Sequence, residues 1–164
     1  MFHQRNWIAM AVVILGLVMI VPVAQAEREE FEGIGCHSNT LTTVQGTPGE
    51  IFVGSFEGKG INRVTSTPSR DLSFHQVGIV KGQGGKWTWD GFSKSMNPNG
   101  DFVIWEFSGG SEIGGSTMKA IYGTGKYKDI KGESKGTIIT NAKPIVEGTL
   151  QQCQKFVGWM EFGK

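Results

Sequence analysis

The sequence has little from which a known type of catalytic or cofactor site could be built. It contains no His-Glu-x-x-His metal motif, no Gly-x-x-x-x-Gly-Lys-Ser/Thr phosphate loop and no Cys-x-x-Cys-His haem attachment motif. Its two cysteines and three histidines show none of the short spacings that are typical of a zinc site. We therefore expect no metal and no cofactor, and no motif points to a reaction.

The first 26 residues have the pattern of a secretory signal peptide. His3 and Arg5 precede an apolar run over residues 7–21, and Ala24 and Ala26 supply a small-x-small cleavage site. A retained membrane anchor is the alternative. The pattern predicts a signal-peptide helix over residues 1–26, a single domain over residues 27–164, and a secreted or periplasmic protein with no stable membrane span after cleavage.

The charge of the remaining domain is balanced. Removal of 26 of the 164 residues would leave 138, and the loss of Arg5 leaves 15 basic residues against 15 acidic ones. This length suits one domain with its own core. A neutral domain gives no electrostatic support for binding nucleic acid or an anionic membrane, so we expect no nucleic-acid partner. The sequence is consistent with either a monomer or an oligomer.

The two cysteines stand near opposite ends of the predicted domain. In an exported chain Cys36 and Cys153 would meet oxidising conditions, which favours a disulfide. The alternative is that Cys36 and the adjacent His37 act as a nucleophile and base, or as metal ligands. Adjacent residues of a strand point to opposite faces, so this alternative has less support.

The remaining sequence indicates an all-β domain. β-branched and aromatic residues recur in short runs between glycine, asparagine and proline turns, without a sustained 3.6-residue period. Eight or so antiparallel strands fit an up-and-down β-barrel, with a β-sandwich as the alternative. The predicted strands cover residues 50–66, 72–80, 86–96, 101–107, 117–124, 136–140, 145–151 and 156–162.

Three turns are predicted between these strands. Residues 83–85 and 97–100 have the composition of hairpin connections, and Asn99 and Gly100 suit a positive φ at both positions. Residues 141–144 form another turn, with Pro144 opening the next strand.

The segment from Gly123 to Gly132, Gly-Thr-Gly-Lys-Tyr-Lys-Asp-Ile-Lys-Gly, joins two predicted strands by a tight connection. Gly123 and Gly125 can take a positive φ or allow close backbone approach. The segment resembles the glycine signature of the allene oxide cyclase and dirigent-like β-barrels. Residues 99–107 are similar to the strand that precedes this signature in small exported bacterial relatives. The resemblance covers about residues 71–151 and implies a barrel whose lumen acts as a mould. It carries no catalytic residue to this chain.

Two side chains are candidates for acid-base chemistry. Glu106 shares a strand face with Phe102 and Ile104, and if that face lines the lumen the carboxylate would be desolvated and its pKa raised. His75 shares its face with Val77 and is a catalytic candidate or a hydrogen-bonded structural residue.

Four aromatic side chains are candidates for contact with a planar ligand. They are Trp87, Trp89, Trp105 and Phe102, and their alternative role is ordinary packing in the core.

Two classes of function follow. The first is a binding or scaffold protein whose barrel accepts a small apolar or aromatic molecule, which the aromatic content and the missing motifs favour. The second, implied by the resemblance, is an isomerase or cyclase that uses the lumen as a mould, with a carboxylate assisting. Polar groups that converge in an enclosed cavity would distinguish the second class from the first.

Overall fold

The computed structural model describes residues 28–45, 51–66 and 70–163. These residues form eight strands and one 3-10 turn, η1 (Gly125–Tyr127). The strands are β1 (Arg28–Gln45), β2 (Ile51–Val64), β3 (Arg70–Gln83), β4 (Lys86–Met96), β5 (Phe102–Gly110), β6 (Gly115–Gly123), β7 (Lys131–Ala142) and β8 (Thr149–Glu161).

The strands close into one antiparallel barrel in which each strand pairs with the next in sequence, and β1 pairs with β8. The predicted all-β, up-and-down barrel of about eight strands is confirmed, and the sandwich alternative is not what forms. The predicted signal-peptide helix lies outside the described residues. Among the residues that are described, none belongs to a helix with the length and apolar character needed to cross a bilayer.

Side chains alternate between the lumen and the outer surface. On β5, Val103, Trp105 and Phe107 are buried on the lumen side, while Glu106 is exposed on the outer side. The alternation follows from the two-residue period of a strand, and in a barrel it sends every second side chain inward.

Glycines let large polar side chains cross the narrow lumen. A Cβ at Gly58 would collide with the Oδ1 atom of Asn39, and a Cβ at Gly35 would collide with that of Asn62. Each amide therefore lies over a glycine of the neighbouring strand, which explains why glycine is frequent inside these strands.

The apolar core closes one end of the lumen. It includes Tyr127, the last residue of η1, which is 2% exposed and packs against Phe162 of the C-terminal segment. Burial of these side chains supplies most of the hydrophobic stabilisation at this end. The buried members of the core are Phe31, Val64, Val103, Trp105, Ala120, Tyr127, Ile130 and Met160.

Two strand predictions are wrong. Residues 28–45 form β1, for which no strand was predicted, because the middle of its inward face is Gly33, Gly35, His37 and Asn39, and the inward apolar residues Phe31 and Leu41 stand only on either side. Residues 149–161 form one strand, β8, where two were predicted, because pairing with both β1 and β7 continues through its polar middle.

The hairpin connection predicted at residues 83–85 is confirmed, since Gly84 and Gly85 both have a positive φ and join β3 to β4. At the next turn Gly100 has a positive φ but Asn99 does not. The Asn97 side chain organises this turn instead, because its Oδ1 accepts hydrogen bonds from the amides of Asn99 and Asp101 at 2.9 and 3.1 Å. Pro144 lies in the connection between β7 and β8 rather than at the start of a strand.

The predicted disulfide between Cys36 and Cys153 is confirmed. The two residues face each other across the β1–β8 seam with their Cα atoms 4.1 Å apart, and they project to the outer surface. The bond covalently joins the first strand to the last. It also removes the alternative in which Cys36 acts with His37, since no cysteine is free.

Candidate functional site

The lumen contains two connected compartments. The mouth compartment, of about 170 Å³, lies at the end of the barrel where β3 joins β4 and β7 joins β8. The exposed Trp87 and Leu150 stand at its rim, and the buried Val80 lines it further in. The floor compartment, of about 90 Å³, lies deeper and reaches the apolar core at Tyr127. The barrel is thus open at one end and closed by packed side chains at the other.

Four side chains line both compartments and mark the boundary between them. They are His37, Gln76, Met118 and Gln154. Three of the four can form hydrogen bonds, so we call this boundary the polar ring. Other neutral polar side chains, such as Asn62 and Ser116, line the compartments on either side of it.

Short hydrogen bonds hold the amides of this ring. Gln76 donates through Nε2 to the Oδ1 of Asn39 at 2.8 Å, and Gln154 donates through Nε2 to the Oε1 of Gln152, also at 2.8 Å. Gln152 in turn donates to Asn141 at 2.8 Å. Each amide has further donor or acceptor capacity beyond these bonds, so the ring can still engage a bound molecule.

His37 is the titratable member of the ring. Burial lowers the pKa of its imidazole to about 4, because the charged form is poorly solvated there. The ring of Phe74 stands edge-on to it at 5.7 Å between centroids. At neutral pH the imidazole is uncharged and carries one hydrogen-bond donor and one acceptor.

The charged side chains of the described residues lie outside both compartments. No Asp, Glu, Lys or Arg side chain of the described residues lines either one. The partly buried ion pair of Arg70 with Glu29, 2.7 Å between Nη1 and Oε1, lies where β3 begins and β1 begins, at the closed end. A bound molecule would therefore meet dipoles rather than charges.

The hydroxyl of Tyr127 is a further polar group at the floor. It is buried and has no hydrogen-bond partner among the described residues. An unpartnered buried hydroxyl is costly unless water or a ligand completes it. The floor compartment that Tyr127 lines is the space in which such a partner would sit.

Three of the predicted aromatic residues line the lumen. Trp89 lies in the mouth compartment and donates through Nε1 to the Oγ of Ser116 at 2.9 Å. Trp87 stands at the rim with its ring 4.9 Å from that of Phe52. Trp105 lines the floor compartment but is buried in the apolar core, so packing accounts for much of its role.

The other predicted site residues lie outside the lumen. Phe102 packs on the outer surface beneath Lys94, whose Nζ is 4.1 Å from the ring centroid. Glu106 is exposed on the outer face, so the lumen placement on which its raised pKa depended is not realised. His75 is also outside, with Nε2 2.9 Å from the Oε1 of Glu57, and this bond lowers the pKa of the Glu57 carboxyl.

Sequence reasoning missed the polar ring. A signal was present in the sequence, because glycine or polar residues occupy every second position of these strands. Gly35, His37 and Asn39 show this pattern, and so do Gln152 and Gln154. Polar inward positions look like a solvated face unless the sheet is known to close on itself.

One motif needs its structural context. Residues 132–136, Gly-Glu-Ser-Lys-Gly, match the spacing of a nucleophile elbow, but they lie within β7, and an elbow needs a sharp turn from strand to helix. The Ser134 hydroxyl donates to the carbonyl of Val157 at 3.1 Å. The residues that the structure describes also contain no group of three His, Cys, Asp or Glu side chains placed to hold a metal ion.

No family model matches the sequence, and no curated protein sequence matches it either. Solved structures do resemble it. The pterocarpan synthase dirigent protein PsPTS1 superposes with a TM-score of 0.51 at 11% identity, covering 85% of this chain and 99% of that one. The pterocarpan synthase dirigent protein GePTS1 gives 0.48 at 10% identity, with 86% and 95% covered.

A nonspecific heme-binding cyclase that catalyzes a cycloaddition during neoabyssomicin biosynthesis gives a TM-score of 0.44 at 12% identity, with 100% of this chain and 81% of that one covered. At such low identity only the fold is shared, and only the first similarity is close enough to support even that. The closed eight-strand barrel and the PsPTS1 superposition together show that this chain has the fold of the dirigent-like β-barrels.

Proposed function

We propose that the protein binds a small, uncharged aromatic molecule in the lumen of its barrel. The observation that carries the proposal is the mouth compartment, which is open, lined by Phe56, Trp89 and Phe107, and backed by the polar ring. Aromatic walls with a few placed hydrogen-bonding groups are the usual composition of a small-molecule site.

The preference for an uncharged molecule follows from the lining. A carboxylate or ammonium group in the lumen would lose its hydration and meet no opposite charge, since neither compartment is lined by a fixed charge of the described residues. Neutral amides and the neutral His37 imidazole can accept from a hydroxyl or donate to a carbonyl. A neutral ligand with one such group is therefore favoured over its charged analogue.

A matched pair of residues on β3 tests whether the lumen is the site. Val80 faces the mouth compartment and Val77 faces outward on the same strand. Val80→Trp should fill the compartment and lower the affinity for 2-naphthalenemethanol at least tenfold, measured by tryptophan fluorescence, while Val77→Trp leaves it unchanged. Thermal melts show whether each variant is folded. Equal binding by a folded Val80→Trp variant would place the ligand elsewhere.

A matched pair of ligands tests the charge preference. At pH 7 we expect 2-naphthalenemethanol to bind at least tenfold more tightly than 2-naphthoate, which has the same rings and a carboxylate. Equal or tighter binding of the carboxylate contradicts the charge preference but leaves the lumen as the site.

The alternative isomerase or cyclase function has less support. Glu106 and His75, the two acid-base candidates, both face outward, and the titratable side chains that line the compartments are the phenol of Tyr127 and the imidazole of His37. With its pKa near 4 this imidazole is a weak base at neutral pH. The pterocarpan synthase dirigent protein PsPTS1 has the same fold, which extends the proposal to an enzyme or a scaffold only by analogy.

The proposal includes export, with cleavage before Glu27 and a mature barrel over residues 27–164. The disulfide supports it, because such bonds persist in oxidising compartments. Mass spectrometry of the protein recovered outside the cytoplasm should give an N-terminus at Glu27. An intact N-terminus in the membrane fraction would instead support a retained anchor.

A further inference from the structure

The connections at the two ends of the barrel differ in the side chains that they expose. At the mouth end, Ile113 in the β5–β6 connection is 65% exposed, and Ile145 and Val146 in the β7–β8 connection are 86% and 62% exposed. Ile51, which opens β2 at the same end, is exposed as well. We refer to Ile51, Ile113, Ile145 and Val146 as the mouth collar.

At the closed end the described connections expose fewer apolar side chains, and the exposed ones, Tyr122 at 58% and Met96 at 38%, lie on the adjoining strands. Its β4–β5 connection is Asn97 to Asp101, and the apolar members of the β6–β7 connection, Tyr127 and Ile130, are buried. Single exposed apolar residues are ordinary, but several on separate connections around one opening indicate a contact surface.

We propose that the mouth collar docks the barrel onto the surface of a lipid bilayer. The aliphatic side chains stand at the tips of separate connections rather than forming one flat patch, which suits shallow insertion among lipid headgroups better than a close-packed protein interface. Trp87, on the rim between these tips, is an amphipathic side chain of the kind that favours the bilayer interface.

The charged side chains at the mouth end also suit contact with a lipid bilayer. Lys81 at the end of β3, Lys86 at the start of β4 and Lys143 in the β7–β8 connection place ammonium groups around the collar, where lipid phosphates would lie. Glu112 pairs with Lys86 at 2.6 Å and Glu147 lies in the β7–β8 connection. Among the described residues at this end, three lysines against two glutamates leave one positive charge, so apolar insertion would drive docking and anionic lipid would add to it.

Docking in this orientation would hold the open mouth of the lumen against the bilayer. The described rim side chains Trp87 and Leu150 are themselves exposed, so the apolar surface continues from the collar into the mouth compartment. An apolar molecule dissolved in the membrane could then enter without crossing water. The docking itself does not depend on a ligand.

Flotation with phosphatidylcholine vesicles, with and without 20% phosphatidylglycerol, tests the proposal on the mature protein. We expect binding to both, tighter by about threefold with the anionic lipid. The double variant Ile113→Ser with Ile145→Ser should lower the partition coefficient at least tenfold. The control is Ile61→Ser, because Ile61 is 59% exposed on the outer face of β2, away from the mouth.

Orientation is tested by quenching with bromine-labelled lipids. The bromine-labelled lipids should quench the tryptophan emission of the vesicle-bound wild type. Most of this quenching should disappear in Trp87→Phe but not in Trp159→Phe, because Trp159 faces outward on β8 near the closed end. The proposal is overturned if the protein binds neither type of vesicle. It is also overturned if Ile61→Ser lowers the partition coefficient as much as the double collar variant does. A lipid-free dimer that the double collar variant dissociates overturns it as well, since the occupant is then a second copy.

Discussion

At the scale of a single residue, His37 is the side chain whose chemistry depends most on its position in the barrel. Its folded pKa of about 4 lies below the ordinary value of 6.5, so between these two pH values the unfolded chain binds a proton that the folded protein does not. The contribution of His37 to the free energy of unfolding should therefore be complete above pH 6.5 and should decrease as the pH falls to 4. The full loss is on the order of 3 kcal/mol.

Urea unfolding at pH 7, 6, 5 and 4 measures this effect. His37→Gln, which keeps a hydrogen-bonding side chain without the titration, should flatten the slope between pH 6.5 and 4.5. Ile61→Gln, on the outer face of β2, adds the same side chain without removing a titratable group and should keep the wild-type slope. An unchanged slope in His37→Gln would contradict the assignment of the pH dependence to His37.

Trp89 and the disulfide cysteines could be placed from sequence, but the polar ring could not. Cys36 and Cys153 follow from compartment and pairing alone, and a tryptophan in a strand is expected to be buried somewhere. Gln76 and Gln154 are polar residues whose inward direction depends on the closure of the sheet. Glu106 shows the same limit, since both faces of β5 are largely apolar and the sequence could not tell the inner face from the outer.

At the scale of an element, the connection from β6 to β7 depends on its glycines. Gly125 has a φ of +54°, and a Cβ there would meet the carboxylate of Asp101. Gly123 has an ordinary φ, but a Cβ there would collide with the carbonyl oxygen of Tyr127. The role of Gly125 is therefore conformational and that of Gly123 is steric. The sequence predicted these two roles but not which glycine has which.

Replacing either glycine with valine should lower the free energy of unfolding by about 1 to 3 kcal/mol, through strain at Gly125 and crowding at Gly123. Lys126→Ala and Lys128→Ala are the matched controls in the same connection. Both lysines are exposed, so each change should cost less than about 0.5 kcal/mol. Urea unfolding of the four variants measures the difference. Glycine variants as stable as the wild type would rule out both roles.

Strand β1 illustrates why element prediction failed where it did. Its outer face carries Glu30 and Glu32 and its inner face carries Gly33 and Gly35, a composition that disfavours a strand by propensity. Pairing on both sides, with β2 and with β8, overrides that propensity. Strands rich in valine and aromatics, such as β5, needed no such support and were predicted.

At the scale of the whole molecule, the disulfide ties the barrel closed. Cys36 and Cys153 are 117 residues apart in sequence, so the bond restricts a very long loop in the unfolded chain. In the chain-entropy model this contributes about 5 kcal/mol, an upper figure if the unfolded chain is compact.

Reduction should lower the urea midpoint of the wild type substantially. The double variant Cys36→Ser with Cys153→Ser should match the reduced wild type and should not respond to the reductant. A wild-type midpoint that reduction leaves unchanged would show that the hydrogen-bonded seam between β1 and β8 suffices by itself.

The pairing of the first strand with the last also determines when, during folding, the barrel can close. Each of the other seams joins strands that are neighbours in sequence, but the β1–β8 ladder requires residues such as Phe31 and Gly158 to meet across almost the whole chain. Contacts of such long range slow folding, because the entropy of the intervening chain is lost before they form. During synthesis the barrel therefore cannot close until β8 has left the ribosome, and a nascent chain without its C-terminal strand has no partner for the free edge of β1.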